Sequence, residues 1–265
     1  MLGHDVMSAA GAEAVGLTRA ELDVTDAAAV ERAMLEIRPH AVINCAAYTD
    51  VDGAESDERT ATLVNGDGAG NVAVAAAAVD AFVVQPSTDY VFDGEKREPY
   101  METDLTSPRT AYGRSKLAGE WTVAEGNPRH AIVRTAWLFG LHGKNFVDTM
   151  LKLDGPLKVV DDQVGCPTYT GHLAEALLDL AESGRHTGIV HVAGSGECSW
   201  YEFALEIFRQ AERDVKVAPC ATEEYPRPAP RPHYSVLRTI HPEAPRLPDW
   251  REGLEAYLTE RAVAR

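Results

Sequence analysis

The segment AFVVQPSTDY (81–90) decides the fold, because a run of apolar residues suited to a buried strand ends in a cluster of polar side chains. The segments HAVINCAAYTD (40–50) and HAIVRTAWLFG (130–140) repeat that pattern. Near-continuous apolar strands separated by helices are typical of a parallel sheet that is covered on both faces. Since the crossovers between such strands are right-handed, the sequence predicts an α/β fold with a doubly wound parallel sheet of the Rossmann type.

Weaker patterns fill the rest of the chain. Further strands are predicted near residues 157–162, 188–194 and 214–219, and helices at residues 26–37, 57–79, 110–125, 144–153, 171–183, 199–212 and 250–262. We expect residues 1–155 to form mainly a nucleotide-binding core. Residues 156–265 are expected to form mainly a smaller C-terminal substrate-binding lobe, with some segments returning to the core. Ligands of such sheets bind outside the carboxyl ends of the strands, so chemistry is expected there.

The composition argues against several classes of partner. The chain of 265 residues carries a formal net charge of −16, and an acidic surface repels the phosphate backbone of nucleic acids. No apolar run approaches the roughly 18–20 residues that cross a bilayer, and no secretory signal is visible. The four cysteines are scattered and the nine histidines form no ligand motif, so no metal site is predicted. We expect a cytoplasmic protein with no nucleic acid and no membrane as partner.

The segment SPRTAYGRSKLAGEW (107–121) places Tyr112 and Lys116 four positions apart in a predicted helix, hence on one face. A positive charge about 4 Å from the phenol is worth up to roughly 4 kcal/mol at an effective dielectric of about 20. That interaction would lower the pKa of Tyr112 by as much as ~3 units, toward neutrality, before burial opposes it. Such a phenol would suit proton transfer to an alkoxide or ketone. The pair alone is a weak signal, because nine tyrosines and six lysines produce such spacings by chance.

Hydroxyl groups at the end of the strand in residues 82–88 strengthen this interpretation. Thr88, next to Ser87, lies 24 residues before Tyr112, and a hydroxyl there could donate to a carbonyl oxygen while the tyrosine delivers a proton. The alternative is a hydroxyl that caps a turn, which is common at strand ends. Together the two signals are more specific than either alone.

With these residues in place, the sequence resembles a known family. Thr88, Tyr112 and Lys116 resemble the catalytic triad of the extended short-chain dehydrogenase/reductases. Longer strings in consistent order resemble the dTDP-4-dehydrorhamnose reductases within that family: INCAAYTDVDGAE, STDYVFDG, AYGRSKLAGE, VRTAWLFG, DDQVGCPTY and RPHYSVL. The resemblance implies an oxidoreductase that reduces the 4-keto group of a dTDP-linked 6-deoxyhexose to give dTDP-L-rhamnose. NADPH or NADH would supply the hydride.

The resemblance also implies roles for single residues. Tyr112 would protonate the developing 4-oxyanion, Lys116 would lower the pKa of Tyr112 and hold the nicotinamide ribose, and Thr88 would hydrogen-bond the keto oxygen. Substrate contacts are implied for Thr88, Asp89, Trp137 and Arg231, although core packing is the ordinary role of a tryptophan. Cofactor contacts are implied for Gly3, Arg19, Asp23, Val24, Ala46, Ala47, Tyr48, Tyr112 and Lys116. Arg19 would stand where a second strand ends, and an arginine there could accept a 2′-phosphate and favour NADPH.

The segment EEYPRPAPRPHYS (223–235) has alternating prolines, which stiffen a chain toward the extended polyproline form. It is either a surface connector or a loop that contacts a ligand. Arg227 and Arg231 favour the second interpretation, because arginine side chains match the geometry of phosphate groups.

Two alternatives stay open at this point, and a third is disfavoured by the residues themselves. A sugar-nucleotide dehydratase would follow Thr88 with an Asp-Glu pair, whereas Asp89 and Tyr90 follow it here. Another sugar-nucleotide reductase or an epimerase of the same family would share the fold and the Tyr–Lys pair. A non-catalytic regulatory subunit like that of methionine adenosyltransferase would use the fold as a binding partner. A homodimer is a possible assembly.

The first residues, MLGHDVMSAAGAEAVGLTR, carry a further expectation. A dinucleotide-binding core usually opens with an apolar strand, a glycine-rich turn and a helix whose N-terminus holds the pyrophosphate. Here no strand precedes Gly3, which corresponds to the last glycine of the family's turn. We therefore expect an N-terminally incomplete chain with reduced stability and weak NADPH binding.

Overall fold

The structure, a computed structural model, describes residues 1–264. Its α-helices are α1 (Leu2–Ala10), α2 (Ala27–Ile37), α3 (Val51–Ala54), α4 (Glu58–Thr62), α5 (Gly68–Ala77), α6 (Ala111–Gly126), α7 (Phe146–Leu151), α8 (Thr170–Ser183), α9 (Trp200–Gln210) and α10 (Trp250–Val263). Its strands are β1 (Ala41–Ile43), β2 (Phe82–Thr88), β3 (His130–Thr135), β4 (Leu138–Phe139), β5 (Leu157–Val160), β6 (Val164–Gly165), β7 (Thr168–Tyr169), β8 (Gly188–His191), β9 (Cys198–Ser199) and β10 (Val217–Cys220).

The main sheet has the strand order β1-β2-β3-β8, and every pairing in it is parallel. Because the strands alternate with helices along the chain, all their carboxyl ends lie at one edge of the sheet. The predicted α/β fold with a parallel sheet is confirmed. The predicted helix over residues 57–79 consists of α4, one π-helical turn over Leu63–Asp67, and α5.

Side chains that alternate along the strands bury both faces of this sheet. Phe82 and Val84 of β2 pack with Leu2 and Val6 of α1 and with α8. Val83, on the opposite face, packs with alanines of α5 and with α6. Burying an aliphatic or aromatic side chain of this kind contributes about 1.5–3 kcal/mol. The sheet is thus held rigidly between two helical layers.

The expectation of a second strand that ends at Arg19 is wrong for this structure. Residues 14–18 form no strand, and Val15 and Leu17 are exposed. A strand needs a neighbour that accepts its backbone hydrogen bonds, and within residues 1–264 this segment has none. Instead, the Glu21 carboxylate accepts hydrogen bonds from the backbone and hydroxyl of Thr18, which closes a local turn that contains Arg19.

A second apolar core is separate from that of the main sheet. Helices α7, α9 and α10 pack with the parallel pair β5 and β10 around Phe139, Phe203, Trp250 and Tyr257. Helix α8 and strand β8, which follow residue 156, return to the main sheet. The division at residue 155 stays a prediction. Across the described chain, no helix is long and apolar enough to span a membrane.

Candidate active site

A cavity of about 840 Å³ opens at the carboxyl ends of β1, β2 and β3. Ligand sites in proteins are typically about 300–1,000 Å³. The start of α1 lines one part of this cavity, the strand ends and α6 line its floor, and the segment 225–232 lines the far wall. The site therefore lies where the parallel sheet predicts it.

Helix α6 brings the two residues of the YxxxK pattern to the cavity floor. Thr110 caps its N-terminus, since the Thr110 side chain accepts a hydrogen bond of 2.9 Å from the Gly113 amide. Tyr112 and Lys116 both line the cavity. Glu120, one further turn along the same face, lies behind Lys116 and is buried.

Lys116 is a buried cation. Its ammonium donates a 2.7 Å hydrogen bond to the Pro86 carbonyl oxygen, and the residue is 5% exposed. Burial lowers the pKa of Lys116 to about 8, while the negative charge of Glu120 opposes that shift. At neutral pH the side chain is therefore mostly charged, although its charge is easily lost.

Tyr112 departs from the sequence-based expectation. Burial raises the pKa of Tyr112 to about 12, and the negative charge of Asp89 adds to that shift, whereas a hydrogen bond with the Thr88 side chain opposes it. The prediction that Lys116 lowers the pKa of Tyr112 toward neutrality is thus wrong for this structure. The ammonium is directed to the Pro86 carbonyl, and the phenolate is poorly solvated at the cavity floor. The phenol consequently keeps its proton at neutral pH and is available as an acid.

Thr88 caps a turn, which is one of the two roles that the sequence left open, and its donation to a carbonyl oxygen of the substrate stays a prediction. Its Oγ1 accepts a 3.2 Å hydrogen bond from the Tyr90 amide, which caps a turn, and donates a 2.9 Å bond to Asp89 Oδ1. Asp89 is 2% exposed, and burial raises its pKa to about 6, whereas the hydrogen bond from Thr88 opposes that shift. Within the described residues, Asp89 Oδ2 has no hydrogen-bond partner. Asp89 also lines the cavity.

A buried ion pair that the sequence analysis missed lies directly behind these residues. Arg134 Nη2 and Nε donate bonds of 2.7 and 2.9 Å to the two carboxylate oxygens of Glu120. Ser87 donates a 2.5 Å bond to the same carboxylate. The spacing of Lys116 and Glu120 at i and i+4 was the available signal for this network.

Two tryptophans line the side of the cavity next to β4. Trp137, which directly precedes β4, is stacked on Trp200, with 3.6 Å between the ring centroids and 5° between the planes. Arg231, on the far wall, donates a 2.9 Å bond to the carboxylate of Asp52 and is therefore held against α3. Lys144, Lys158 and Arg227 also line the cavity. These cations stand out in a protein of net charge −16.

With this geometry established, comparison with known proteins decides the family. The family model described as "RmlD substrate binding domain" matches residues 1–263. The chain belongs to the RmlD family.

Relatives and solved structures of the same family cover nearly the whole chain. The "Spore coat polysaccharide biosynthesis protein SpsK" of Bacillus subtilis is 42% identical over 260 residues, which are 96% of this chain and 91% of that protein. The dTDP-4-dehydrorhamnose reductase of Mycolicibacterium smegmatis is 45% identical over 260 residues, covering 95% of this chain and 79% of the relative. The crystal structure of the Bacillus anthracis dTDP-4-dehydrorhamnose reductase in complex with NADP is similar with a TM-score of 0.93, at 41% identity, and covers 98% of this chain and 95% of that one.

The residues at one end of the cavity suit the NADP that the Bacillus anthracis structure holds. Helix α1 begins at Leu2 without a side-chain cap, and Met1, Leu2 and Gly3 line the cavity. The first amides of a helix have no partner within it and bind phosphate groups well. A Cβ on Gly3 would lie 3.3 Å from the Cβ of Cys45, so glycine allows the helix to approach the end of β1 closely.

The predicted cofactor residues of the RmlD-family chain divide into two groups. Gly3, Ala47, Tyr112 and Lys116 line the cavity, and Ala46 and Tyr48 flank Ala47 in the chain. Arg19, Asp23 and Val24 lie outside the cavity lining: Asp23 binds the amide and hydroxyl of Thr25, and Val24 packs beside α2 and α5. All of these assignments stay predictions. In residues 1–264, no group of three or more His, Cys, Asp or Glu side chains is placed to hold a metal ion.

Proposed function

We propose that the protein reduces the 4-keto group of dTDP-4-dehydrorhamnose to give dTDP-L-rhamnose, as an NAD(P)H-dependent oxidoreductase. The observation that carries this proposal is the convergence of Thr88, Tyr112 and Lys116 on one cavity at the carboxyl end of the sheet, in a chain of the RmlD family. Relatives at 45% and 46% identity are named dTDP-4-dehydrorhamnose reductase. The Bacillus anthracis structure with NADP favours NADPH over NADH.

Tyr112, Thr88 and Lys116 each have a separate role in the reduction. NADPH, when bound, supplies the hydride to the carbonyl carbon. Tyr112, which holds its proton at neutral pH, donates that proton to the oxygen that gains negative charge. Thr88 caps the following turn, which fixes the position of its oxygen, and its single hydroxyl hydrogen would turn from Asp89 to the oxygen that gains negative charge. Lys116 places a positive charge beneath the site and has further N–H donors available for a ribose hydroxyl.

The opposite wall supports the nucleotide-sugar part of the proposal. Arg231 would contact the diphosphate, and Asp52 supports this role because it holds the guanidinium and accepts a 3.2 Å bond from the Ala229 amide. Trp137 would contact the sugar. Asp89 would bind one of its hydroxyls.

The deciding experiment measures NADPH oxidation with the dTDP-4-keto-6-deoxy-L-hexose, beside NADH, for the parent and for Tyr112→Phe. We expect the phenylalanine variant to lose about 10²–10⁴ of the rate, because it lacks the transferable proton. Tyr201→Phe serves as the matched control, since Tyr201 lies on α9 and outside the cavity lining. A Tyr112→Phe rate within a few-fold of the parent would contradict the assignment of the acid.

The same experiment separates the alternatives. An epimerase would retain its nicotinamide cofactor through purification and would not consume added NADPH. A regulatory subunit would show no turnover of the keto sugar. The cytoplasmic location and the homodimer stay predictions, the latter to be measured by sedimentation.

A further inference from the structure

The stacked tryptophans connect the main sheet with helix α9. Trp137 follows β3 of the main sheet, whereas Trp200 is the first residue of α9 in the C-terminal lobe. Their planes are nearly parallel and in full van der Waals contact, and both residues line the cavity. Trp200 therefore covers part of the indole that the proposed function assigns to the sugar.

The backbone at Trp137 does not hold its indole by itself. Trp137 has a φ of +49°, in the left-handed region that non-glycine residues rarely adopt. Gly165 allows the indole to lie against its backbone, since a Cβ there would be 2.7 Å from Nε1 and 2.8 Å from Cζ2 of Trp137. Within residues 1–264, the indole N–H of Trp137 donates no hydrogen bond. Packing alone therefore sets the orientation of this ring.

Trp200, in contrast, is anchored from several directions. Ser199 and Glu202 form a capping box that fixes the start of α9, with bonds of 2.8 and 3.1 Å. The Trp200 indole N–H donates a 3.2 Å bond to Gln163 Oε1. Phe146 packs against the ring, at 4.6 Å between centroids. Trp200 is thus a fixed surface against which Trp137 is placed.

We propose that Trp200 is a positioning residue for the reduction: it fixes the plane of the Trp137 indole, and the uncovered part of that indole then orients the sugar ring over Tyr112. This inference rests on the proposed function. An aromatic ring offers an apolar surface to the C–H groups and the methyl group of a 6-deoxyhexose. Because a misplacement of about 1 Å can cost about 10²-fold in rate, a loose Trp137 should lower turnover without loss of cofactor binding.

The first measurement follows the indole itself. Two stacked indoles give an exciton couplet in the circular dichroism spectrum, which we expect in the parent and in Trp121→Phe. Trp121 is exposed on α6 and serves as the matched control. The couplet should vanish in Trp200→Phe, in Trp200→Ala and in Trp137→Phe. A couplet that persists in Trp200→Ala would overturn the proposal, because the signal would then come from another pair.

The second measurement follows turnover. We expect Trp200→Ala to lower kcat for the keto sugar about 10- to 100-fold with an unchanged Kd for NADPH, and Trp200→Phe to restore most of it, because phenylalanine still packs against the indole. Gly165→Ala should cause a similar loss by displacing Trp137, while Trp200 itself is unchanged. A kcat within twofold of the parent in both Trp200→Ala and Gly165→Ala would overturn the positioning role.

The two measurements also separate this inference from the proposed function. A parent that shows the couplet, loses it in Trp200→Ala and fails to reduce the keto sugar would refute the proposed function. That result would still support the stacking of Trp137 on Trp200, while their role in positioning the sugar would fall with the proposed function.

Discussion

Replacement of Lys116 by methionine should leave the protein as stable as the parent or more stable near pH 7, while it weakens the binding of NADPH. The pKa of Lys116 falls from the ordinary 10.5 to about 8 because the side chain is buried. At about 1.36 kcal/mol per pKa unit, the charged lysine costs roughly 3 kcal/mol of folding free energy near pH 7. Methionine removes this cost but leaves the buried Pro86 carbonyl without its donor, a loss of about 1–3 kcal/mol. The net change in the free energy of unfolding is therefore roughly 0 to +2 kcal/mol.

The pH dependence gives this prediction its sharpest form. Between about pH 8 and pH 10.5 the unfolded chain holds the Lys116 proton and the folded chain has lost it, so the parent gains stability as the pH rises. From about pH 7 to pH 9.5 that gain is roughly 2 kcal/mol, and Lys116→Met lacks it. The stability advantage of the variant should therefore shrink by that amount, or change sign, across this range.

Urea unfolding at the two pH values measures the difference directly, since all other titrating groups are shared by parent and variant. Lys152→Met is the control, because Lys152 is exposed at the end of α7 and should show no such pH-dependent difference. A difference between parent and Lys116→Met that stays constant from about pH 7 to pH 9.5 would refute the argument that burial lowers this pKa. The variant should also bind NADPH more weakly, and unchanged affinity would remove the role of Lys116 in holding the ribose.

Three further outcomes test other parts of the site. Thr88→Val should lower kcat about 10²-fold with little change in KM, as expected for the loss of one donor to a developing oxyanion, and an unchanged kcat in steady-state kinetics would contradict this. Arg231→Ala should raise the KM for the dTDP-sugar more than the KM for NADPH, since it removes a cation held by Asp52 at the far wall; equal effects would return the loop to the role of a connector. Glu120→Gln should lower the free energy of unfolding, measured with denaturant, by about 3–5 kcal/mol, because Arg134 would stay buried without its counter-charge. A decrease below about 1 kcal/mol would show that water reaches the pair.

The sequence was most informative where chemistry and periodicity coincide. The segment 81–90 predicted both a buried strand and its polar end, and β2 ends at Thr88 in the structure. The YxxxK spacing correctly placed Tyr112 and Lys116 on one helix face at the cavity. Such features are local, since they depend on a few residues close together in the chain.

Burial and contacts between residues far apart in the chain could not be predicted from the sequence. The spacing of Tyr112 and Lys116 makes them neighbours but says nothing about burial, and burial sets both pKa values. The stack of Trp137 on Trp200 joins residues far apart in the chain, so no spacing could reveal it. The strand expected before Arg19 is absent because a strand depends on its partner as much as on its own residues.

Helix α6 fixes the spacing of the side chains at the cavity floor. This limits where residues can be inserted or deleted near the site. Tyr112, Lys116 and Glu120 share one face, and close approaches of Gly113 to the Tyr90 carbonyl and of Gly119 to the Asn65 carbonyl fix the rotation of the helix. A residue inserted between positions 113 and 115 would turn the later part of the helix by about 100° and separate the acid from the cation. It would also bring a side chain to the place of Gly119. Length variation near this site is therefore confined to the loop before Thr110.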